Sequence, residues 1–454
     1  MVMTAYTWTD GTGNHLAGTA ANWAPAAVPS SGDYVYLGSG GSNTDCLVNI
    51  ANWALDRILA DNSYTHSLSI LSGNVVTTTN EVVQYGILAM GSGATLNVGD
   101  FYDGYGLVTT AGGSTATIAA AGSFFLYSSG TITVTGAVTG GNVLDVSSAG
   151  FDDAGTINVG LSGTAGTMSI TGPITLQSSG TINVDDSSAL SFFGGGGGSH
   201  PDLQGAFNLG TSSGSATVST DTQLDIDGGT FFSTGSSTNS VAGDVRVYNG
   251  GVMEVDVGST LTSTSGSTSI EATLNLDTGS MLAFPSASAS TFTATGVINM
   301  YGAIIAMDPG RVSTLNVTGY LNTYGASGPF GLTVNDGIVG NLTNNGQVVF
   351  GGPLHQLQLA PLLLAGGGDY TQGSSGQLSM RLDIGGVSDG VAVGGATSLA
   401  GTLTLTGLHT LTGGATWTLI GTTGSFSGNF GTINWPDANP NWVANPGAAY
   451  TVSN

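Results

Sequence analysis

Carboxylates are the groups in this chain best suited by type to do chemistry. Its 454 residues hold 28 Asp and Glu against four Arg and no Lys, and only Glu81, Glu254 and Glu271 are Glu. Paired acids stand at Asp152-Asp153, at Asp185-Asp186 and within the run from Asp221 to Asp227. Two carboxylates held at a set separation could cleave a glycosidic bond, and Asp oxygens are the hard ligands that calcium takes. Neighbours along a strand face opposite ways, whereas Asp225 and Asp227 share a face, which makes these two the candidate calcium ligands. The repeat-type calcium motif Gly-Gly-x-Gly-x-Asp does not occur, and the other paired acids read as solvated turn residues.

Other chemistries lack their parts. A lyase acting on uronates needs a cation against the substrate carboxylate and a strong base, commonly Lys or Arg. Four dispersed arginines, Arg57, Arg246, Arg311 and Arg381, do not supply them. The five histidines, His15, His66, His200, His355 and His409, show no ligand spacing such as His-x3-His. Gly210-Thr211-Ser212-Ser213-Gly214 has the letters of a nucleophile elbow, but no helix is expected after it. The glycine run 194–198 lacks the Lys of a phosphate loop and reads as a protruding loop, with Phe192, Phe193, His200 and Pro201 at its base. The expectation is a protein that is not an enzyme, with calcium as the one cofactor in question. Tyr102, Tyr105, Tyr301, Tyr320 and Tyr324, if exposed, could stack on sugar rings, which gives a surface adhesin or glycan-binding protein as the alternative; a polysaccharide-degrading enzyme ranks below it.

The formal charge of −24 would repel phosphate backbones and anionic bilayers, so neither nucleic acid nor membrane insertion is expected. Apolar residues make up 40% and the mean hydropathy is +0.23, enough for a long core and against disorder. The 76 Gly and 12 Pro do not follow a collagen period. Cys46 is alone, so it closes no disulfide within the chain and reads as a small buried residue. The longest apolar stretch, near Leu359 to Ala365, is too short to span a bilayer. Met1 to Asp10 hold neither a basic nor an apolar leader segment, so export is expected through a leaderless route or a leader outside this numbering.

Any such groups must be positioned by strands. Thr131-Ile132-Thr133-Val134 follows Gly130, Thr156-Ile157-Asn158-Val159 follows Gly155, and Thr181-Ile182-Asn183-Val184 follows Gly180, at intervals of 25 residues. A half-step copy, Thr167-Met168-Ser169-Ile170, follows Gly166, and looser copies run from Ala94-Thr95-Leu96-Asn97-Val98 to Thr402-Leu403-Thr404-Leu405. Each unit alternates polar and apolar residues, so Ile132 and Val134 point inward. Helical spacing occurs at Trp53 to Leu59, where a turn or two of helix is expected. Corners are expected at Asp103-Gly104, Asp227-Gly228, Asn249-Gly250, Asp336-Gly337, Asn345-Gly346 and Asp389-Gly390. A repeat of this length fits one coil of three short strands and three turns, which needs roughly 20 to 30 residues. The fold class is therefore all-β, a parallel β-helix or β-solenoid, with like residues stacked in ladders. About 12 coils at ~4.8 Å each would make a rod of roughly 55 to 60 Å. Residues 66–352 would form it, between an N-terminal cap module over 1–65 and a C-terminal β module over 353–454.

The N-terminal segment reads Tyr6-Thr7-Trp8-Thr9-Asp10-Gly11, Ala20-Ala21-Asn22-Trp23, Val28-Pro29 and Gly32-Asp33-Tyr34-Val35. It resembles the opening module of bacterial surface β-solenoid proteins of the autotransporter-passenger type. Gly368-Asp369-Tyr370, Gly376-Gln377-Leu378, Asp389-Gly390-Val391, Gly424-Ser425-Phe426 and Ala449-Tyr450-Thr451-Val452 fall in the order seen near the ends of those passengers. Together the two stretches cover about a third of the chain, and no membrane barrel is expected after them. The resemblance implies a secreted protein on a bacterial cell surface. With two distinctive ends and no catalytic cluster, the expected role is structural: head-to-tail self-assembly into a filament, sheath or surface layer, with the chain itself as partner and surface glycans as the other candidate. Trp8, Trp23 and Tyr450 mark the end modules expected to govern assembly.

Overall fold

The computed structural model describes residues 3–110, 114–136, 144–161, 164–185, 187–194, 200–210, 214–234, 238–264, 267–284, 291–307, 314–324, 326–327, 333–334, 336–351, 361–383, 386–408 and 417–434. The chain forms two compact units, one of residues 1–225 with 229–231 and the other of 226–228 with 232–454. Both are built almost wholly of short parallel strands. Ala20–Asn22 forms a 3-10 turn. No helix among the described residues is long and apolar enough to cross a membrane.

One coil shows the construction. Leu144–Ser147, Gly150–Asp153 and Thr156–Val159 are three consecutive strands joined by tight corners, and each pairs in parallel with its counterpart one coil before and one coil after. Between residues 66 and 352 one face carries 13 successive strands, one per coil, close to the expected 12, and the fold is a parallel β-solenoid. The predicted register holds. Ile132 pairs with Ile157 and Ile157 with Ile182, all three fully buried. On the outer surface of the same strands, Asn183 Nδ2 donates to Asn158 Oδ1 and Asn208 Nδ2 to Asn183 Oδ1, both at 2.8 Å. The second unit repeats the device: Leu274, Ile298 and Leu321 stack inside, while Asn299 donates to Asn275 and Asn322 to Asn299 at 2.9 Å outside.

Coil length drifts while the ladder keeps step. Leu88 follows its ladder neighbour Leu68 by 20 residues, and Leu378 follows Val348 by 30. Thr167–Thr171 and Thr95–Val98, which look like copies of the 25-residue unit, lie on another face of the coil. Every face needs the same alternation, so pattern alone does not separate them. Burying the ladder isoleucines is the main stabilising term here. Ile157→Ala is expected to cost about 2–5 kcal/mol, read from the urea midpoint; a loss no larger than that of the outward Thr156→Ala would contradict the inward placement.

Two local expectations are corrected. Trp53 to Leu59 forms no helix: Asn52–Leu55 and Arg57–Ala60 are successive strands turning a corner at Asp56, and Trp53, Leu55 and Ile58 are all buried. Their apparent helical spacing is two period-2 stripes joined across a bend. Asp103-Gly104 is likewise no corner but the end of strand Tyr102–Gly104, and Gly337 and Gly390 each begin a strand. Asn249 and Gly250 do make the expected turn, with φ of 50° and 86°.

Glycine heads the Thr-Ile repeats for a reason other than left-handed backbone. A Cβ on Gly155 would sit 2.4 Å from the Gly130 carbonyl oxygen, and one on Gly180 would sit 2.4 Å from that of Asp153. Successive coils touch backbone to backbone at this corner, and no side chain fits between them.

Candidate functional site

The N-terminal module assembles from its motif residues. Strand Ala5–Trp8 pairs antiparallel with Trp23–Ala24 and parallel with Tyr34–Leu37, so the two tryptophans meet edge to face at 4.9 Å and 67°. Trp53 of the following coil lies 5.9 Å from Trp23. Each indole N–H is satisfied: Trp8 by Thr44 Oγ1, Trp23 by the Ala17 carbonyl and Trp53 by the Pro29 carbonyl, at 3.2, 2.8 and 2.9 Å. Buried Asn22 knits the loop, accepting from Thr12 N at 2.9 Å and donating to the Leu16 carbonyl at 3.0 Å. Asp10 pairs with His15 at 2.7 Å, and Asp33 accepts from Ser30 N at 2.8 Å. The motif is thus a self-contained hydrogen-bonded plug. Trp8 and Trp23 are 0% and 2% exposed, so in an assembly they would shape the end surface rather than touch a partner. Tyr450 lies outside the described residues.

Asp225 and Asp227 alternate with buried Leu224 and Ile226 along strand Thr217–Asp227. The Gln223 side-chain amide donates to Asp225 Oδ1, and Asn249 Nδ2 donates to Asp227 Oδ1 at 2.7 Å. Calcium requires about six to eight oxygens. Carboxylates already capped by amide N–H groups fit that set poorly, and no group of three or more His, Cys, Asp or Glu among the described residues is placed to hold a metal.

The described arginines are committed. Arg57 reaches Glu81 at 2.9 Å and Asp56 at 3.1 Å while lying over the Tyr34 ring. Arg246 grips Glu271 through two bonds of 2.7 and 3.1 Å, which holds that carboxyl below its usual range, and covers Tyr248. Arg381 and Asp389 form a buried fork: Nε to Oδ2 at 2.8 Å and Nη2 to Oδ1 at 3.0 Å, with the Arg381 backbone N–H also donating to Oδ2 at 2.8 Å. Asp389 is fully buried and Arg381 7% exposed. Arg311, His355 and His409, the core of the Gly210–Gly214 motif and most of the 194–198 loop lie outside the described residues. His15 and His66 pair with Asp10 and Asp45, and His200 Nδ1 accepts from Gln223 N at 3.3 Å.

Asp153 is not the solvated turn acid its doublet suggests. Asp152 points out, but Asp153 points into the coil and is fully buried between Leu126 and Leu176 of the adjoining strands. Its Oδ1 accepts from Gly155 N at 2.9 Å and its Oδ2 has no partner. Burial pushes its carboxyl up to about 7. Asn344 occupies the matching corner in the second unit. Its Oδ1 accepts from Gly346 N at 3.1 Å, while its Nδ2 donates to the Gln377 carbonyl at 3.0 Å and to Gln372 Oε1 at 2.9 Å. The available signal was Asp-Ala-Gly against Asn-Asn-Gly, an Asx two residues before the corner glycine.

Tyr102, a candidate for sugar stacking only if exposed, is fully buried and stacks on Phe124 at 4.5 Å, with Phe151 next at 4.7 Å. Several outward aromatics stack on one another: Tyr85, Tyr105 and Tyr127, parallel at 4.3 and 4.1 Å, and the pair Tyr301 and Tyr324 at 4.6 Å. Stacking spends the ring faces on one another, so Tyr105 has no free face for a sugar. Tyr320 is 46% exposed.

Taken together, these geometries define a parallel β-solenoid whose described polar groups mostly satisfy one another. The chain matches no family model and no curated protein.

Proposed function

We propose that this chain is an extracellular structural protein that assembles end to end into a filament, sheath or surface layer, in the manner of the bacterial surface β-solenoids its end motifs resemble. The observation that carries this reading is the stacking itself. Within each unit, coils bind one another through ladders of parallel backbone pairing and like-on-like side chains, so the edge of one coil is complementary to another such edge. The tryptophan plug gives one end a defined shape. Outward Asn and Thr keep the sides hydrated, and a Lys-free chain with four Arg offers few sites to basic-specific proteases. Committed arginines favour a passive role over catalysis on acidic sugars.

Negative-stain electron microscopy with and without calcium tests the proposal. Linear polymers of a uniform width are expected, insensitive to chelation if the Asp225 and Asp227 carboxylates stay with their amide partners. Particles of 45.0 kDa only, across salt and calcium conditions, would overturn it.

A further inference from the structure

Two of the three outer faces of the second unit are polar. One carries the Asn275, Asn299 and Asn322 ladder, another a run of Ser, Thr and Asn that includes Asn316 and Thr343. The third face differs. Strands Met281–Phe284, Ile304–Met307, Gly337–Val339, Pro361–Ala365 and Gly390–Val393 pair in that order, and their register sets Met281, Ile304, Gly337, Leu363 and Ala392 in one outward column. The column beside it, from Ala283 to Ala365, holds three alanines and Val339. No charged or hydrogen-bonding side chain interrupts either column, and Ile304 and Leu363 are 37% and 38% exposed. The fold does not demand this: the corresponding ladder of the first unit turns Thr95, Thr117, Asp145 and Ser169 outward.

We propose that this face pairs side by side with the same face of a second copy of the chain. Charge selects the occupant's approach. Copies carrying −24 each repel one another, and an uncharged sheet face is where they can meet without opposing carboxylates. Shape selects self-pairing. A two-fold axis along the Gly337 strand runs the ladders antiparallel, so Met281 lies over the partner's Ala392 and Ile304 over the partner's Leu363. Large side chains thereby face small ones at the outer layers, and Gly337 lies on the axis, where it meets its own copy as in any isologous contact. Five strands averaging about four residues cover about 24 by 13 Å, so pairing would bury roughly 600 Å², below the ~1,200 Å² of a standard interface. The contact is therefore a weak, reversible one, visible at about 0.1 mM and above, and multiplied where many copies are aligned. It goes beyond end-to-end assembly and does not depend on it.

Sedimentation velocity up to about 1 mM, in roughly 0.5 M salt to screen the net charge, tests the pairing. The expected result is a reversible monomer–dimer equilibrium. Ile304→Glu with Leu363→Glu should weaken it at least about tenfold, because two charges would be buried unpaired. Thr343→Glu on a polar face should leave it unchanged, and all variants should keep the wild-type circular dichroism and unfolding midpoint. A Cβ on Gly337 would meet Ile304 Cγ1 at 3.7 Å and the Leu363 carbonyl at 3.9 Å, so Gly337→Cys fits. A short bis-maleimide should then join two copies, across sheets about 10 Å apart. That cross-link reports the face whether or not the ends associate. Wild type monomeric at about 1 mM with no cross-link, or pairing undiminished in the doubly substituted variant, would overturn the proposal.

Discussion

Replacing Asp153 by Asn is expected to stabilise the protein by about 4 kcal/mol at pH 8 and to leave it nearly unchanged at pH 4. The carboxyl rises from 3.8 in an open chain to about 7 in the folded one. Below pH 4 both states hold the proton. Between pH 4 and 7 the unfolded chain has lost it while the folded one keeps it, so stability falls as pH rises, by about 1.4 kcal/mol per unit, and levels off once the folded carboxyl ionises as well. Three units give the ~4 kcal/mol. The group is buried among Leu126, Leu176 and Phe151, its pKa is raised by burial alone, and the Gly155 backbone N–H is its one hydrogen-bond donor. Asn344 shows what the corner accepts: an oxygen toward the glycine N–H and a donor on the other arm. Protonated Asp153 and Asn both offer the Gly155 N–H an oxygen without burying a charge, which the carboxylate cannot do. Urea midpoints of wild type and Asp153→Asn from pH 4 to 8 check this, since every other carboxylate cancels in the difference. Parallel curves would mean that Asp153 ionises freely in the folded state.

Asp389→Ala should cost about 3–5 kcal/mol, because it removes the buried acceptor of the Arg381 Nε, Nη2 and backbone N–H groups. The guanidinium packs against Gly351, where a Cβ would overlap it, so this corner depends on glycine there. Replacing both partners together, Arg381→Met with Asp389→Leu, should recover most of the loss, since an apolar pair carries no desolvation cost. Hydrogen exchange across Gln377–Leu382 and Thr402–Gly407 measures the effect locally. Equal protection in Asp389→Ala and wild type would show that the fork contributes no stability at that corner.

The inward and outward assignment of most ladder residues was legible because a strand alternates with a period of two wherever one face is buried. Ile132, Ile157 and Ile182 needed nothing else. The same rule failed at Trp53 to Leu59, where two strands meet at a corner and their stripes imitate a helix. It was also silent on which face a strand joins, as Thr167–Thr171 shows. Asp153 was misplaced because an acidic doublet before glycine reads as a turn, while the coil places its second member at an inward position. The sequence left the side of Tyr102 open, and the coil sets it inward, where Phe124 and Phe151 extend its stack.

The amino-acid order alone determined an all-β solenoid, its parallel like-on-like register, its acidic surface and the residues that form the terminal plug, since each follows from alternation, repeat interval and composition. Tertiary structure alone decided which acids are buried, which arginines are committed, why a backbone contact forbids a side chain at Gly155, and that one outer face of the second unit is apolar. Those features depend on which residues from coils 20 to 30 positions apart come to lie side by side, and variable corner lengths conceal that alignment until the coils are stacked.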